Sequence, residues 1–234
     1  MSAAFEWAVP PPTDSRAADP GVTASDFSWP PGRQNNRKTP VFLMLQTRST
    51  PMESAHMSAP VQPSFATCDL CDAFEADTSG SFRVLPPVFN DYGAVRKFCG
   101  PVVTLRCLED NSRVREAVNS TGYVDTPVGR VGRVLVVEGA GSLRRALVGG
   151  NLATAAARNG WAGIVVDGAV RDLAELSQAQ VGIRALALVP MRTAKRDEGQ
   201  ADLPVQIQGV WVRPGDWLYA DEDGIVVADQ AVHR

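Results

Sequence analysis

Two stretches of the sequence decide the fold: Val134-Leu-Val-Val-Glu138-Gly-Ala-Gly-Ser142, and Gly163-Ile-Val-Val-Asp167-Gly168-Ala-Val-Arg171-Asp172. Each begins with a short apolar run rich in β-branched residues, which predicts a buried strand, here over 133–137 and 163–166. Each run is followed by an acidic residue and a glycine, which predicts a tight turn at the strand end. The two stretches therefore predict neighbouring buried strands with polar groups at their ends.

The segments around these strands alternate between strand and helix patterns. Further strands are predicted at 102–107, 185–188, 206–212 and 225–228, and helices at 112–119, 142–148, 151–159 and 172–178. Strands that alternate with helices, followed by a late run of strands, favour an α/β sandwich with a mixed sheet.

A candidate binding element follows the first of the two strands. Ser142 is expected to cap the helix over 142–148, Gly149 and Gly150 to interrupt it, and Asn151 to cap the next helix. A new helix end at Gly150, Asn151 and Leu152 would offer unpaired backbone N–H groups to a small carboxylate. Any interrupted helix has such an end, so a purely structural role remains open.

Arg171 and Asp172 form the second candidate element, at the end of the neighbouring strand. Ligands of α/β proteins bind beside the carboxyl ends of sheet strands. Arg171 could pair with a carboxylate or an enolate oxygen, and Asp172 could hold a divalent cation. In the alternative interpretation this is a surface pair, and Asp172 only caps the helix that follows it.

The composition limits the classes of protein to which this chain can belong. A length of 234 residues, 44% hydrophobic residues, 21% charged residues and a net charge of −3 predict one globular domain with no nucleic-acid surface. Residues 1–65 hold ten of the seventeen prolines and predict a disordered Pro-rich extension, followed by a folded domain over 66–234. No apolar run is long enough to cross a membrane, and we expect a cytoplasmic protein.

The sequence lacks the residue patterns that several other catalytic or metal-binding chemistries require. No nucleophilic triad and no Gly-x-x-x-x-Gly-Lys phosphate loop is present. Cys68 and Cys71 fall inside a predicted first helix capped by Thr67, which favours buried, inert thiols over a zinc or redox site. The acidic run 213–227 could suggest a metal site, but its alternation and turn residues favour a hairpin.

These motifs together resemble the RraA-like family, which joins metal-dependent 4-hydroxy-4-methyl-2-oxoglutarate aldolases to the regulator of ribonuclease E activity A. The resemblance covers about 66–230 and includes Thr67-Cys-Asp-Leu-Cys-Asp72, Cys107-Leu-Glu-Asp-Asn111, Gly149-Gly-Asn-Leu-Ala153 and Pro214-Gly-Asp216. It implies a β/β/α-type sandwich that assembles as a homotrimer with active sites near the subunit boundaries.

The aldolase branch implies a lyase activity and a set of site residues. Its members use Mg²⁺ or Mn²⁺ to cleave 4-hydroxy-4-methyl-2-oxoglutarate into two pyruvates, and decarboxylate oxaloacetate through the same enolate. Carried over by motif, Asp172 holds the metal and Arg171 stabilises the charge of substrate and enolate. The substrate contacts are Gly149, Gly150, Asn151, Leu152 and Arg171.

The regulator branch implies a non-catalytic protein that binds a ribonuclease instead. Asp172 favours the enzyme, because regulators of the enteric type lack an acid after the arginine. Aldolase members usually have an Asp or Glu that is followed, after twenty residues, by Arg-Asp. This sequence departs from that pattern, because Gly150 stands in the place of the first acid. Glu138, or an acid of a neighbouring subunit, is the expected substitute.

Overall fold

The structure, a computed structural model, describes residues 63–126 and 129–233. Its helices are α1 (Thr67–Ala73), α2 (Ser112–Asn119), α3 (Gly150–Arg158) and α4 (Leu173–Leu176). Its strands are β1 (Phe82–Val84), β2 (Asn90–Asp91), β3 (Phe98–Arg106), β4 (Tyr123–Thr126), β5 (Gly129–Gly132), β6 (Val134–Val148), β7 (Gly163–Val170), β8 (Gly182–Leu188), β9 (Gln200–Ala201), β10 (Val205–Ile207), β11 (Val210–Val212), β12 (Trp217–Ala220) and β13 (Ile225–Ala228). The predicted Pro-rich extension lies almost wholly outside the described residues and stays a prediction.

Strand β3 joins the two parts of a mixed sheet with the order β1-β13-β12-β3-β6-β7-β8-β2. Its first half pairs antiparallel with β12, and its second half pairs parallel with β6. β6, β7 and β8 are parallel neighbours, so their carboxyl ends meet at one edge. The predicted α/β class with a mixed sheet is confirmed.

Among the described residues, the two largest of three apolar core clusters lie on opposite faces of β6 and β7. Helices α2, α3 and α4 cover one face, where Val114, Ala156 and Leu176 pack on β6, β7 and β8. On the other face, Val136 and Val165 pack against β10, β11, β12 and β13. Each fully buried valine or leucine side chain among these stabilises the fold by about 1.5–3 kcal/mol.

One aromatic ring explains two glycines at the start of neighbouring strands. Phe98 is fully buried, and its ring lies on Gly163 of β7 and Gly182 of β8. A Cβ at Gly163 would lie 2.2 Å from Cε2 of Phe98, and one at Gly182 would lie 2.0 Å from its Cδ1. The two glycines therefore leave the space that the ring fills.

The predicted helix over 142–148 is wrong, because β6 continues through these residues to Val148. The chain bulges at Ala140 and Gly141, with φ of 53° and 64°, and then pairs again with β7 through Ser142, Ala146 and Val148. β7 likewise runs past Asp167 to Val170. The acid-and-glycine positions are thus irregularities inside long strands, and not strand ends.

Ser142 and Gly149 consequently have other roles than those predicted. The Ser142 hydroxyl caps no helix and donates to Glu109 Oε1 at 2.7 Å. Gly149 and Gly150 interrupt no helix; they mark the change from β6 to α3, which begins at Gly150. The predicted helix at 151–159 is confirmed within one residue at each end, but Gly149, and not Asn151, occupies its N-cap position.

The remaining elements follow the sequence with smaller corrections. Helix 112–119 and strand 225–228 are confirmed, whereas 206–212 forms two strands separated by a turn at Gln208 and Gly209, both with positive φ. The hairpin predicted for the acidic run is formed by β12 and β13. Helix 172–178 is shorter than predicted, since α4 spans only four residues.

The start of the domain also differs from the prediction in one detail. Ala66, and not Thr67, occupies the N-cap position of α1, and the Thr67 hydroxyl donates to Asp221 Oδ1 at 2.6 Å. Phe65 is buried with its ring centroid 5.2 Å from that of Tyr219. Within the described residues, no helix combines the length and the apolar character that crossing a membrane requires.

Candidate functional site

A cavity of about 650 Å³ lies where the parallel strands β6, β7 and β8 end. The residues that follow these strands line it: Gly149, Asn151 and Leu152 after β6, Arg171 and Asp172 after β7, and Met191, Arg192, Thr193, Ala194 and Lys195 after β8. The carboxyl edge of parallel strands is where α/β folds bind ligands. The predicted site residues Gly149, Asn151, Leu152, Arg171 and Asp172 therefore meet at one cavity, whereas Gly150 is not among the residues that line it.

Helix α3 begins at this cavity and presents its first amides there. The Gly150 N–H faces Asp172 Oδ2 at 3.3 Å, whereas Leu152 N–H donates to Gly149 O at 3.0 Å. Within 63–126 and 129–233, the Asn151 N–H has no hydrogen-bond acceptor. The predicted helix end is confirmed. Of the three backbone N–H groups that were expected to be unpaired there, the Asn151 N–H is the one available to a ligand.

Asp172 occupies the N-cap position of α4 in the left-handed conformation, with φ of 65°. Its side chain makes no capping hydrogen bond to α4. Instead, Oδ2 lies 3.4 Å from Nε of Arg171 and 3.3 Å from N of Gly150, and the side chain is 35% exposed. The alternative in which Asp172 merely caps the following helix is therefore wrong.

Gly149 has no side chain because none would fit beside Asp172. A Cβ at this position would lie 2.6 Å from Asp172 Oδ2 and 3.2 Å from Cγ of Arg171. The backbone at Gly149 is extended, so its conformation alone does not require glycine. The packing of the Arg171–Asp172 pair against the chain requires it.

Positive charge dominates the described lining of the cavity. Asp172 is its one carboxylate, whereas five side chains are cationic: Arg115, Arg145, Arg171, Arg192 and Lys195. Such an excess in a concave site favours a ligand with more than one negative charge. Sequence reasoning identified only Arg171 of this set, because the other four come from α2, β6 and the segment after β8.

The segment after β8 is held over the cavity by contacts from β6 and from the loop before α2. Ala146 N–H donates to Met191 O at 2.8 Å, and Arg145 Nη1 donates to Arg192 O at 2.9 Å. Buried Asp110 accepts hydrogen bonds from the backbone amides of Ser112 and Arg196. Burial alone would raise the pKa of Asp110, but these hydrogen bonds outweigh it and lower that pKa.

The donor set fits a divalent cation that keeps most of its water. Within the described residues, no group of three or more His, Cys, Asp or Glu side chains comes together as a metal cage. Asp172 offers one partly exposed carboxylate, and Gly149 leaves the approach to it open. Mg²⁺ is commonly bound by one or two carboxylates while it retains several waters.

Two acids that follow the apolar runs lie inside the sheet and not at the cavity. Glu138 pairs with Nε of Arg106 at 2.7 Å, and Asp167 accepts a hydrogen bond from Gln208 Nε2 at 2.7 Å. Burial raises the pKa of the Asp167 carboxyl. Because Glu138 is engaged by Arg106 and does not line the cavity, the expectation that it substitutes for the acid missing at Gly150 is wrong.

The cysteines take no part in the site. Cys68 and Cys71 lie in α1 as predicted, but Cys68 is exposed and Cys71 is half-buried, so the expected burial is wrong for this pair. The charge of Asp223 raises the pKa of the Cys68 thiol, which disfavours the reactive thiolate. Burial raises the pKa values of Cys99 and Cys107 to about 12.

Comparison with known proteins places the chain in a family. The model of the RraA-like family, described as Aldolase/RraA, matches residues 67–227. The chain belongs to the RraA-like family. The predicted family membership is therefore confirmed. The matched span contains every residue that lines the cavity.

Relatives of this RraA-like protein carry two kinds of name. A protein of Albidiferax ferrireducens named "Putative 4-hydroxy-4-methyl-2-oxoglutarate aldolase" is 72% identical over 166 residues, which are 71% of this chain and 96% of the relative. A protein of Burkholderia mallei with the same name is 53% identical over 72% of this chain and 98% of its own length. The solved structure of the RNA-processing inhibitor RraA from Thermus thermophilis matches with a TM-score of 0.64 and 43% identity over 71% of this chain and 94% of that one.

Proposed function

We propose that this protein is a divalent-metal-dependent carbon–carbon lyase of the class II aldolase type. Its substrate would be 4-hydroxy-4-methyl-2-oxoglutarate, cleaved into two pyruvates, with a second activity as an oxaloacetate decarboxylase. The observation that carries the proposal is the meeting of the Asp172 carboxylate, the Arg171 guanidinium and the first turn of α3 in one cavity. The names of the 72% and 53% identical relatives support the same reaction.

The reaction requires a site that stabilises a developing enolate. The C4 hydroxyl of the substrate loses its proton, the C3–C4 bond breaks, and its electron pair moves toward the C2 keto oxygen. Loss of CO₂ from oxaloacetate leaves the same enolate, and each enolate becomes pyruvate when it takes up a proton at C3. Arg171 lines the cavity with a planar cation that suits this oxyanion.

The other residues bind and orient the substrate. Asp172 would hold Mg²⁺ or Mn²⁺, which as a bound Lewis acid supplies polarisation of the keto oxygen. The Asn151 amide at the start of α3 would bind the carboxylate beside the keto group. Arg145 and Arg192, which also line the cavity, would supply charge for the second carboxylate.

The proposal is tested by pyruvate release from both substrates, with Mg²⁺ or with EDTA, in wild type and Asp172→Asn. We expect metal-dependent turnover in the wild type and a loss of at least about a hundredfold in the variant, because charge stabilisation of this kind contributes several kcal/mol. A folded wild-type protein that releases no pyruvate above the solution background would overturn the proposal.

A second candidate function is supported by the solved RraA structure. That protein is described as an RNA-processing inhibitor, so this chain could instead bind an endoribonuclease without catalysis. Such binding would need neither a metal nor Asp172. Retention of purified ribonuclease E on the immobilised chain in EDTA, unchanged by Asp172→Asn, together with absent turnover, would favour this alternative.

We also propose that the protein is a cytoplasmic homotrimer, as the family resemblance implies. The exposed apolar side chains Leu143, Leu173 and Leu188 are compatible with contacts between copies. Light scattering of the full chain tests the assembly, and a monomer would contradict it.

A further inference from the structure

The loop between β3 and α2 carries the motif Cys107-Leu-Glu-Asp-Asn111, whose acidic residues have no part in the proposed reaction. Both acids contact segments that form walls of the cavity. Asp110 accepts a hydrogen bond from the backbone amide of Arg196, in the segment after β8. Glu109 faces Arg145 in β6. The loop therefore joins two walls of the cavity from outside it.

The Glu109 carboxylate binds three consecutive polar contacts on β6 through its two oxygens. Oε1 accepts hydrogen bonds from the Ser142 hydroxyl at 2.7 Å and from Nε of Arg144 at 2.5 Å. Oε2 lies 3.8 Å from Nε of Arg145. The hydrogen bond from Ser142, followed by that from Arg144, lowers the pKa of the Glu109 carboxyl, so this group is charged at neutral pH.

The two arginines that share this carboxylate have different surroundings. Arg144 is 76% exposed and does not line the cavity, whereas Arg145 is 40% exposed and does. Nη1 of Arg145 also donates to Arg192 O at 2.9 Å. The Arg145 guanidinium is thus contacted from one side by Glu109 and from the other by the segment after β8. These two contacts hold it at the cavity wall.

The backbone of Glu109 does not explain why a glutamate stands at this position. Its φ is 54°, a left-handed conformation that few residues other than glycine adopt. Glycine would adopt it without steric cost, and a larger residue keeps it only where the surrounding structure holds it there. The side-chain contacts with β6 therefore account for the glutamate, and the turn alone does not.

We propose that Glu109 is a positioning residue that holds the Arg145 guanidinium at the cavity wall and thereby sets the preference of the site for keto acids with a second carboxylate. This inference rests on the proposed function, in which Arg145 supplies charge for that carboxylate. A long side chain loses rotamer entropy when it binds a ligand, and a contact that orders it beforehand removes part of this cost.

Positioning and simple charge make opposite predictions for Glu109. Its negative charge lies near the cavity, so through charge alone it would weaken the binding of a dianion, and its removal would strengthen that binding. If Glu109 acts by holding Arg145, its removal weakens the binding of a dianion instead. The sign of the change in affinity therefore separates the two effects.

The test measures the binding of 2-oxoglutarate and 2-oxopentanoate to the full chain by isothermal titration calorimetry with Mg²⁺ present. These keto acids differ only in the carboxylate or methyl group at C5, and neither has the C4 hydroxyl that retro-aldol cleavage requires. The variants are Glu109→Gln, Arg145→Ala and the two together. Arg144→Ala is the matched control, because Arg144 shares the Glu109 carboxylate but does not line the cavity.

We expect Glu109→Gln to weaken the binding of 2-oxoglutarate about three- to fivefold, the scale of a partly exposed ion pair, and to leave that of 2-oxopentanoate unchanged. Arg145→Ala should weaken 2-oxoglutarate binding about tenfold. Adding Glu109→Gln to it should have no further effect, because both changes act through one guanidinium. Arg144→Ala should bind both keto acids like the wild type. The melting temperature of each variant shows that the fold is intact.

Each other result has a distinct meaning. Tighter 2-oxoglutarate binding in Glu109→Gln, equal weakening of both keto acids, or additive effects in the double variant would each overturn the inference. An Arg144→Ala variant that reproduces Glu109→Gln would overturn it as well, because the effect would then belong to Arg144. The expected binding pattern without pyruvate release from either proposed substrate would overturn the proposed function and leave the role of Glu109 standing. A wild type that binds neither keto acid would overturn both.

Discussion

The Asp172 carboxylate and the Gly150 backbone amide lie 3.3 Å apart, measured from Oδ2 to N. This contact joins the residue after β7 to the first residue of α3, so it connects two segments that are 22 positions apart in the chain. It brings the metal-holding candidate beside the helix end that would bind a substrate carboxylate. The geometry of the proposed site depends on this contact and on the absence of side chains at Gly149 and Gly150.

Gly149→Ala should impair turnover without unfolding the protein. The added Cβ would lie 2.6 Å from Asp172 Oδ2 and must displace that carboxylate, while the extended backbone accepts alanine. Misplacement of a catalytic group by about 1 Å can lower the reaction rate on the order of a hundredfold. We therefore expect kcat/KM to fall by about ten- to a hundredfold. Gly224→Ala is the matched control, because a Cβ there meets nothing within 4 Å. Equal kcat/KM in both variants would contradict the tight packing.

Arg145→Ala should raise the KM for the doubly charged substrate more than it lowers kcat. Arg145 lines the cavity and donates from Nη1 to Arg192 O, so the variant loses a charge and a contact that holds the wall. Loss of about 1.4 kcal/mol of binding corresponds to about a tenfold increase in KM. Arg158→Ala, at the exposed last turn of α3, should leave KM unchanged. A tenfold fall in kcat at constant KM would assign Arg145 to the reacting atoms instead.

Asp167→Asn should change how stability depends on pH. Burial raises the pKa of Asp167 in the folded protein above the unfolded value of about 3.9, so the folded state favours the neutral carboxyl. Its stabilising contribution is complete below the unfolded pKa and is lost as pH rises through the folded pKa. The variant should therefore gain unfolding free energy relative to the wild type as pH rises above about 4. Urea titrations at several pH values measure this, and a variant that loses stability as pH rises would refute it.

Phe98→Ala should be among the most destabilising single changes in the described domain. The ring fills the space above Gly163 and Gly182, and its removal leaves a cavity that neither glycine can fill. Truncation of a buried phenylalanine costs about 3–5 kcal/mol. Urea unfolding should show this loss, with Phe98→Leu clearly less affected. A loss of less than about 1 kcal/mol in the free energy of unfolding would mean that the sheet collapses into the cavity left by the ring.

Local sequence patterns predicted secondary structure correctly where one effect, such as the burial of an apolar run, decides it. The apolar runs at Val134 and Gly163 specified buried strands, and the prediction of helix α2 was confirmed residue for residue. The helix predicted from Ser142 failed because the glycines before it signal a bulge as readily as a turn. Only pairing with β7 decides that the chain remains a strand to Val148.

The sequence by itself determined the α/β class, the RraA-like membership and the pairing of Arg171 with Asp172 at a strand end, since these depend on contiguous residues and their order. The tertiary structure decided which other groups meet there. Arg115, Arg145 and Lys195 reach the cavity from separate elements, and a distance through space has no fixed relation to separation along the chain. For the same reason, the sequence alone did not show that the Glu175 carboxylate lies in the space where Gly150 has no side chain.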